Sequence, residues 1–208
     1  MTLTGHAGQG GASISGRLFM NDITDKTNKR SGMPWRLIGW GGAAALLAVP
    51  LVAMQFTDEV VWTPSDFLFA ATMFGIVGCT FEVAVHMSRN IFYRAGAALG
   101  LLAGLLLVWV NGAVGFLGDE GNPWNLLFAL VLLVGVAGSA IGRYRAAGMA
   151  RAMAAAAAVQ VGIGVAALAA GLGSAGPAGL YEAVLGTSLF TALWLLSAGL
   201  FLKAARGA

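Results

Sequence analysis

Apolar residues along the chain fall into six long runs, separated by short stretches of polar residues, glycine and proline. The runs occupy residues 35–56, 66–87, 94–117, 123–141, 150–172 and 180–202. A helix rising about 1.5 Å per residue crosses a hydrocarbon core of about 30 Å in roughly 20 residues, so each run is long enough to span. The pattern predicts an all-α integral membrane protein, a bundle of six transmembrane helices. The fourth run is the shortest and the fifth the richest in alanine. Residues 1–32 are polar, rich in Gly, Ser and Thr, and lack apolar periodicity, which predicts a disordered tail ahead of a transmembrane domain at 33–208. Met20 and Met33 are alternative starts, and with either one residues 1–19 would be an over-extended beginning.

Lys26, Lys29, Arg30 and Arg36 precede the first run, as basic residues precede a secretory signal. Its apolar stretch exceeds the roughly 7–15 residues of a signal core, and "AVPLVAMQF" has no good small-x-small cleavage site. An uncleaved helix is expected, kinked near its outer end by Pro50.

Charge then orients the runs. All twelve Lys and Arg residues lie in the N-terminal tail and its helix start (Arg17, Lys26, Lys29, Arg30, Arg36), the second connection (Arg89, Arg94), the fourth (Arg143, Arg145, Arg151) and the C-terminal tail (Lys203, Arg206). In a six-span arrangement these are all on one side. The first, third and fifth connections carry Asp58, Glu59, Asp66, Asp119, Glu120 and Glu182 instead. Basic loops stay cytoplasmic, so both termini are expected inside a bacterial inner membrane. Five or seven spans would place basic loops outside. Trp35, Tyr93 and Tyr144 fall near the inner face and Trp62, Trp124 and Tyr181 near the outer, as amphipathic rings do. Trp109 and Trp194 lie deeper and are expected to pack between helices.

Composition narrows the function. Only 10% of residues are charged, against about 25% in soluble domains. The net charge of +3 is scattered between apolar runs rather than gathered into a nucleic-acid-binding patch. One cysteine, Cys79, precludes an internal disulfide or a cysteine metal cluster, and two histidines leave little for a histidine-rich metal or haem centre. No cofactor is implied, and the expected surroundings are the lipid bilayer.

Several polar residues at membrane depth are candidates nonetheless. Thr72, Gly75, Cys79, Glu82 and His86 share one face of the second helix. Glu82 and His86 could relay a proton or bind a cation, but they lie within about two turns of the inner end. There Arg89 and Arg94 can pair with them, and an interfacial ion-pair network is the plainer expectation. Asn111 and Gln160 are amides inside spans, suited to hydrogen bonds between helices or to lining a small polar cavity. Gly96, Gly100 and Gly104, with Gly138 and Gly142, recur at four-residue spacing and predict close helix packing within the chain. The same stripes would serve contact with a second copy or another membrane protein.

The stretch "GDEGNP" reads as a turn: Gly118 and Gly121 relax the backbone, Asn122 caps, and Pro123 fills the first helical position. Asp119 and Glu120 hold that turn at the outer water face and are candidate cation ligands with Asp58, Glu59 or Asp66, although no spacing matches a calcium loop. "MPWRLI" and "NPWNLL" resemble each other at the starts of two three-helix halves, too briefly to establish an inverted repeat.

The run W-V-N-x-A-V-G-x-x-G-x-E-x-N-P on Trp109 through Pro123, with "GMARAM" and "SLFTALWLLSAGLF" downstream, resembles an uncharacterised family of bacterial six-span inner-membrane proteins. The resemblance covers residues 35–206 and implies the six-span setting without implying an activity or cofactor. The function expected is that of a non-catalytic accessory or regulatory membrane protein. The alternative is a transporter of a small solute, ion or proton along Glu82, His86, Asn111 and Gln160. An intramembrane enzyme is disfavoured, since the sequence has no paired aspartates, HExxH or GxSxG.

Overall fold

The computed structural model describes residues 34–118, 121–172 and 177–207. The expected disordered tail at 1–32 lies outside them. The described residues form six α-helices: α1 (Pro34–Ala53), α2 (Pro64–Met87), α3 (Ile91–Ala113), α4 (Phe128–Ile141), α5 (Ala146–Ala170) and α6 (Pro177–Arg206). A 3-10 turn, Pro123–Leu127, leads into α4. Six stretches, one per helix, are long and apolar enough to cross a membrane. The protein is therefore all-helical over the described residues, with the sequence characteristics of a multi-pass membrane protein. The chain divides after Leu68 into two compact units.

In the first unit α1 continues through Pro50 to Ala53. Thr63 and Asp66 then start α2. The Asp66 carboxylate accepts from both the Thr63 amide and the Thr63 hydroxyl at 2.7 Å, satisfying a donor that the first helical turn leaves over. Trp62 meets the ring of Phe67 edge-on, 5.1 Å between centroids. Asp66 thus serves as a helix cap.

The second unit holds the rest of α2 and α3 to α6. Asn90 caps α3, its side-chain oxygen accepting from the amides of Phe92 and Tyr93. Gly171 ends α5 in the left-handed conformation (φ 64°), which costs glycine nothing. The link between α4 and α5 is very short. Arg143 and Tyr144 both adopt positive φ there, 53° and 56°. The Tyr144 carbonyl is held by the Tyr93 hydroxyl at 2.8 Å.

Many large apolar side chains point outward, and alanines fill much of the interior between Leu107, Phe128 and Phe201. Leu102, Leu130, Leu133, Val136, Val165, Leu189, Leu195 and Leu196 are exposed, while Ala97, Ala103, Ala152, Ala156, Ala157, Ala167 and Ala198 are buried. Lipid tails are as apolar as leucine, so membrane helices gain little by burying leucine and more by bringing backbones close. The glycines show where this happens. A Cβ on Gly96 would meet the Phe201 ring at 3.1 Å, and one on Gly100 the Ser197 hydroxyl at 3.0 Å and Met153 sulfur at 3.2 Å. A Cβ on Gly104 would meet Leu132 and Trp194, on Gly138 the Cβ of Ala152 at 2.9 Å, and on Gly142 the Cα of Gly148 at 2.7 Å. These contacts pair α3 with α6 and α4 with α5, each antiparallel. Gly96, Gly100, Gly104, Gly138 and Gly142 thus each face a neighbouring helix of the same chain. Ser197 adds a hydrogen bond from its hydroxyl to the Gly96 carbonyl, 2.8 Å, across the same α3–α6 contact.

A paired substitution tests this packing. Gly138→Leu forces α4 off α5, and overpacking of this kind costs about 1–3 kcal/mol. Gly162→Leu, on an exposed position with nothing within 4 Å of its would-be Cβ, leaves stability nearly unchanged. Thermal or denaturant unfolding in detergent reads the difference, and equal stability of the two variants would contradict the packing.

Candidate functional site

The candidates divide between two places. On α2, Glu82 is half-buried and His86 exposed. The His86 ring nitrogen Nδ1 lies 2.7 Å from the Glu82 backbone carbonyl, one turn back on the same helix. Arg94 donates to the Ser88 carbonyl at 2.8 Å and the Val85 carbonyl at 3.0 Å. Those carbonyls belong to the end of α2, where the helix leaves acceptors unfilled. Arg94 therefore ties α2 to the start of α3. Cys79 is exposed. Among the described residues no three His, Cys, Asp or Glu side chains group where they could hold a metal ion.

Asn111 and Gln160 belong to the packed interior. Phe74 stacks on Trp109, 6.2 Å between centroids, which sets α2 antiparallel to α3. That pairing and the Arg94 contacts put Glu82 about ten residues from the level of Asn111, roughly 15 Å along the helix axes. The structure does not assemble all four candidates into one site. Asn111 donates from Nδ2 to the Leu107 carbonyl at 3.0 Å, and its buried Oδ1 has no hydrogen-bond partner in the protein. Gln160 is 0% exposed, and neither its Oε1 nor its Nε2 has a partner.

Two residues the sequence reading passed over or treated as packing join Gln160. Thr191 Oγ1 and Trp194 Nε1, both on α6, are buried and unpartnered. Gly164 faces Thr187, and Met153 and Ser197 both face Gly100. Those contacts set α5 and α6 in antiparallel register, with Gln160 opposite Thr191. Residues 153, 160 and 164 share one face of α5, and residues 187, 191, 194 and 197 face it from α6. Each buried polar atom left unpaired costs about 1–3 kcal/mol. Chemically the layer offers hydrogen-bond donors and acceptors on uncharged side chains. The signal available in the sequence was the i, i+4, i+7 spacing of Thr187, Thr191 and Trp194.

The stretch between α3 and α4 also departs from expectation. Helix α3 was expected to run to residue 117 but ends at Ala113. Gly115 and Gly118 take positive φ, 77° and 88°, and turn the chain back inward. Phe116 and Leu117 are buried. The Phe116 ring packs against Phe128 and Phe190 at 4.9 and 5.2 Å, in space that only a glycine at 186 leaves open. Asn125 holds this hook. Its side-chain oxygen accepts from the amides of Phe116 at 3.0 Å and Leu117 at 2.9 Å. Asn122 caps the 3-10 turn as expected, accepting from the Trp124 amide at 3.1 Å. It also donates to the carbonyls of Leu117 and Leu172, binding the hook to the end of α5. Asp119 and Glu120 lie outside the described residues, so the candidate outer cation site falls there too.

Asn125→Leu strands two buried amides, so a loss of about 2–4 kcal/mol in stability is expected, at roughly 1–2 kcal/mol for each donor. Hydrogen exchange at Phe116 and Leu117 should accelerate with it, whereas Asn125→Asp, which keeps the acceptor, should retain most of the protection. Unchanged exchange in Asn125→Leu would show that the hook is held by its rings alone. Comparison with protein-family models, curated proteins and solved structures gives no match, so the reading of the site stands on its own residues.

Proposed function

We propose that this is a non-catalytic accessory or regulatory protein of a bacterial inner membrane, acting through contacts between its helices and a second copy or another membrane protein. The observation that carries the reading is the outward face of α5. Ala155, Ala158, Gly162, Ala166 and Ala169 are all exposed at three- and four-residue spacing. Gly96, Gly100, Gly104, Gly138 and Gly142 face other helices of the chain, but nothing lies within 4 Å of a Cβ built on Gly162. A flat face of small residues lets a further helix approach closely. The reading also agrees with the division of the polar candidates between α2 and the interior.

An orientation with both termini cytoplasmic belongs to the same proposal. The Tyr93–Tyr144 hydrogen bond and the Gly96–Phe201 and Gly142–Gly148 contacts gather the start of α3, the end of α4, the start of α5 and the end of α6. Arg94, Arg143, Arg145, Arg151, Lys203 and Arg206 therefore share one end of these helices. Lys203 lies over the Phe92 ring, 4.1 Å from its centroid. One basic end supports a cytoplasmic assignment.

A second reading, passage of a small solute, ion or proton, is favoured by one observation: Gln160 keeps an entirely unpartnered amide at the middle of α5. The test of the first reading is in-membrane cross-linking from Gly162→Cys in a Cys79→Ser background. A specific adduct, lost when Ala158→Trp is added, is expected. Recovery of lone protomers only, with Ala158→Trp indistinguishable from its parent, would refute it.

A further inference from the structure

The unpartnered polar layer between α3, α5 and α6 has a chemistry of its own, independent of the accessory reading. Gln160 brings two amide hydrogens and a carbonyl oxygen, Thr191 a hydroxyl and Trp194 an indole N–H; none of these groups has a hydrogen-bond partner in the protein. Gln160 is 0% and Trp194 3% exposed, so bulk solvent does not serve them. Asn111 Oδ1, buried and unpartnered as well, lies about one turn away in level, since Gly104 faces Trp194 and sets the register of α3 against α6. The groups thus come from three helices, with Gln160 and Thr191 level near the middle of α5, Trp194 about one turn to one side of them and Asn111 about one turn to the other.

We propose that this layer binds internal water. Buried polar groups are almost always satisfied, by protein or by ordered water. Gln160 and Thr191 stand opposite each other without bonding directly, and a molecule that both donates and accepts can bridge them. Every polar side chain in the layer is neutral, which favours an uncharged guest over an ion. The surroundings define where such water would be held. Towards the basic end the layer is closed by Met153 and Ser197 packed on Gly100. Towards the other end the Phe116 hook, wedged against Phe128, Phe190 and Gly186, lies between the layer and the loops. Water held between these closures exchanges slowly with solvent, and release of the hook speeds that exchange. The layer would be the hydrated midsection that the transport reading requires, yet its hydration does not depend on transport.

Hydroxyl-radical footprinting of the full chain in detergent and oxygen-18 water tests the assignment. Radicals formed from bound water oxidise the side chains beside it, so Trp194 should acquire the heavy oxygen despite its burial. Labelling at Trp194 should fall severalfold in Gln160→Leu and in Thr191→Val. Exposed Trp124, on the 3-10 turn, should label equally in all and serve as the reference. Phe116→Ala should shorten the time needed for Trp194 to take up label after transfer from ordinary water. The layer is dry, and the proposal wrong, if Trp194 stays unlabelled in the parent protein or labels equally in both variants. A rise in melting temperature for Gln160→Leu would also overturn it, because removing a solvated amide destabilises whereas removing an orphaned one stabilises. Thr191→Val, nearly the same shape as threonine, supplies the footprint comparison should Gln160→Leu fail to fold.

Discussion

Between lipid-facing helices, a leucine gains almost nothing by moving from hydrocarbon to the protein interior, so helix association depends on how closely backbones can approach. The close approach of Gly142 to Gly148 is the tightest statement of that constraint here, because at that point neither helix carries a side chain to hold the other away. Much of the second unit follows from such contacts. They set α4 against α5, bring Tyr144 to the Tyr93 hydroxyl, and align the α3–α6 contact that the Ser197 hydroxyl completes on the Gly96 carbonyl. Dispersion across well-packed small residues, with a few hydrogen bonds between helices, takes the place that hydrophobic burial holds in a soluble core.

That tight packing makes the remaining polar atoms informative. A loosely packed interior could reorient an amide until it found a partner, but Gln160, between the levels of the Gly164–Thr187 contact and of Met153 and Ser197, has no protein partner at either end of its amide. The same reasoning separates it from Glu82 and His86. Those lie on α2, nearer the basic end, where headgroups and water stabilise charge at low cost. Polarity at the helix ends needs no special role, whereas polarity at the middle of the packed faces calls for a physical partner.

How far this was legible in the sequence differs from element to element. The spans, the Asn122–Pro123 cap and the internal use of Gly96, Gly100, Gly104, Gly138 and Gly142 all followed from length, capping chemistry and spacing. The end of α3 did not. Val114, Phe116 and Leu117 are as apolar as the helix before them, and hydropathy does not distinguish a buried hook from another turn of helix. The signal lay in Gly115 and Gly118, spaced as backbone turns rather than as a packing stripe. Asn125 was hidden for a related reason: in "NPWNLL" it resembles an ordinary residue of a helix's first turn, and its bonds run eight and nine residues back along the chain. Thr191 escaped because its isolation depends on which residue α5 sets opposite it, and that pairing exists only after folding.

The register of α5 against α6 is therefore the quantity on which both the packing and the polar layer rest. It can be measured by disulfide formation in native membranes, with Cys79→Ser as background. A Cβ at residue 164 lies 3.1 Å from the Thr187 Cβ, about 0.4 Å short of the lower end of the usual disulfide range of about 3.5–4.5 Å. Gly164→Cys combined with Thr187→Cys should cross-link rapidly under mild oxidation, whereas Gly162→Cys with Thr187→Cys, on opposite faces, should not. Equal cross-linking of the two pairs, or none in the first, would contradict the register and remove the basis for placing Gln160 opposite Thr191.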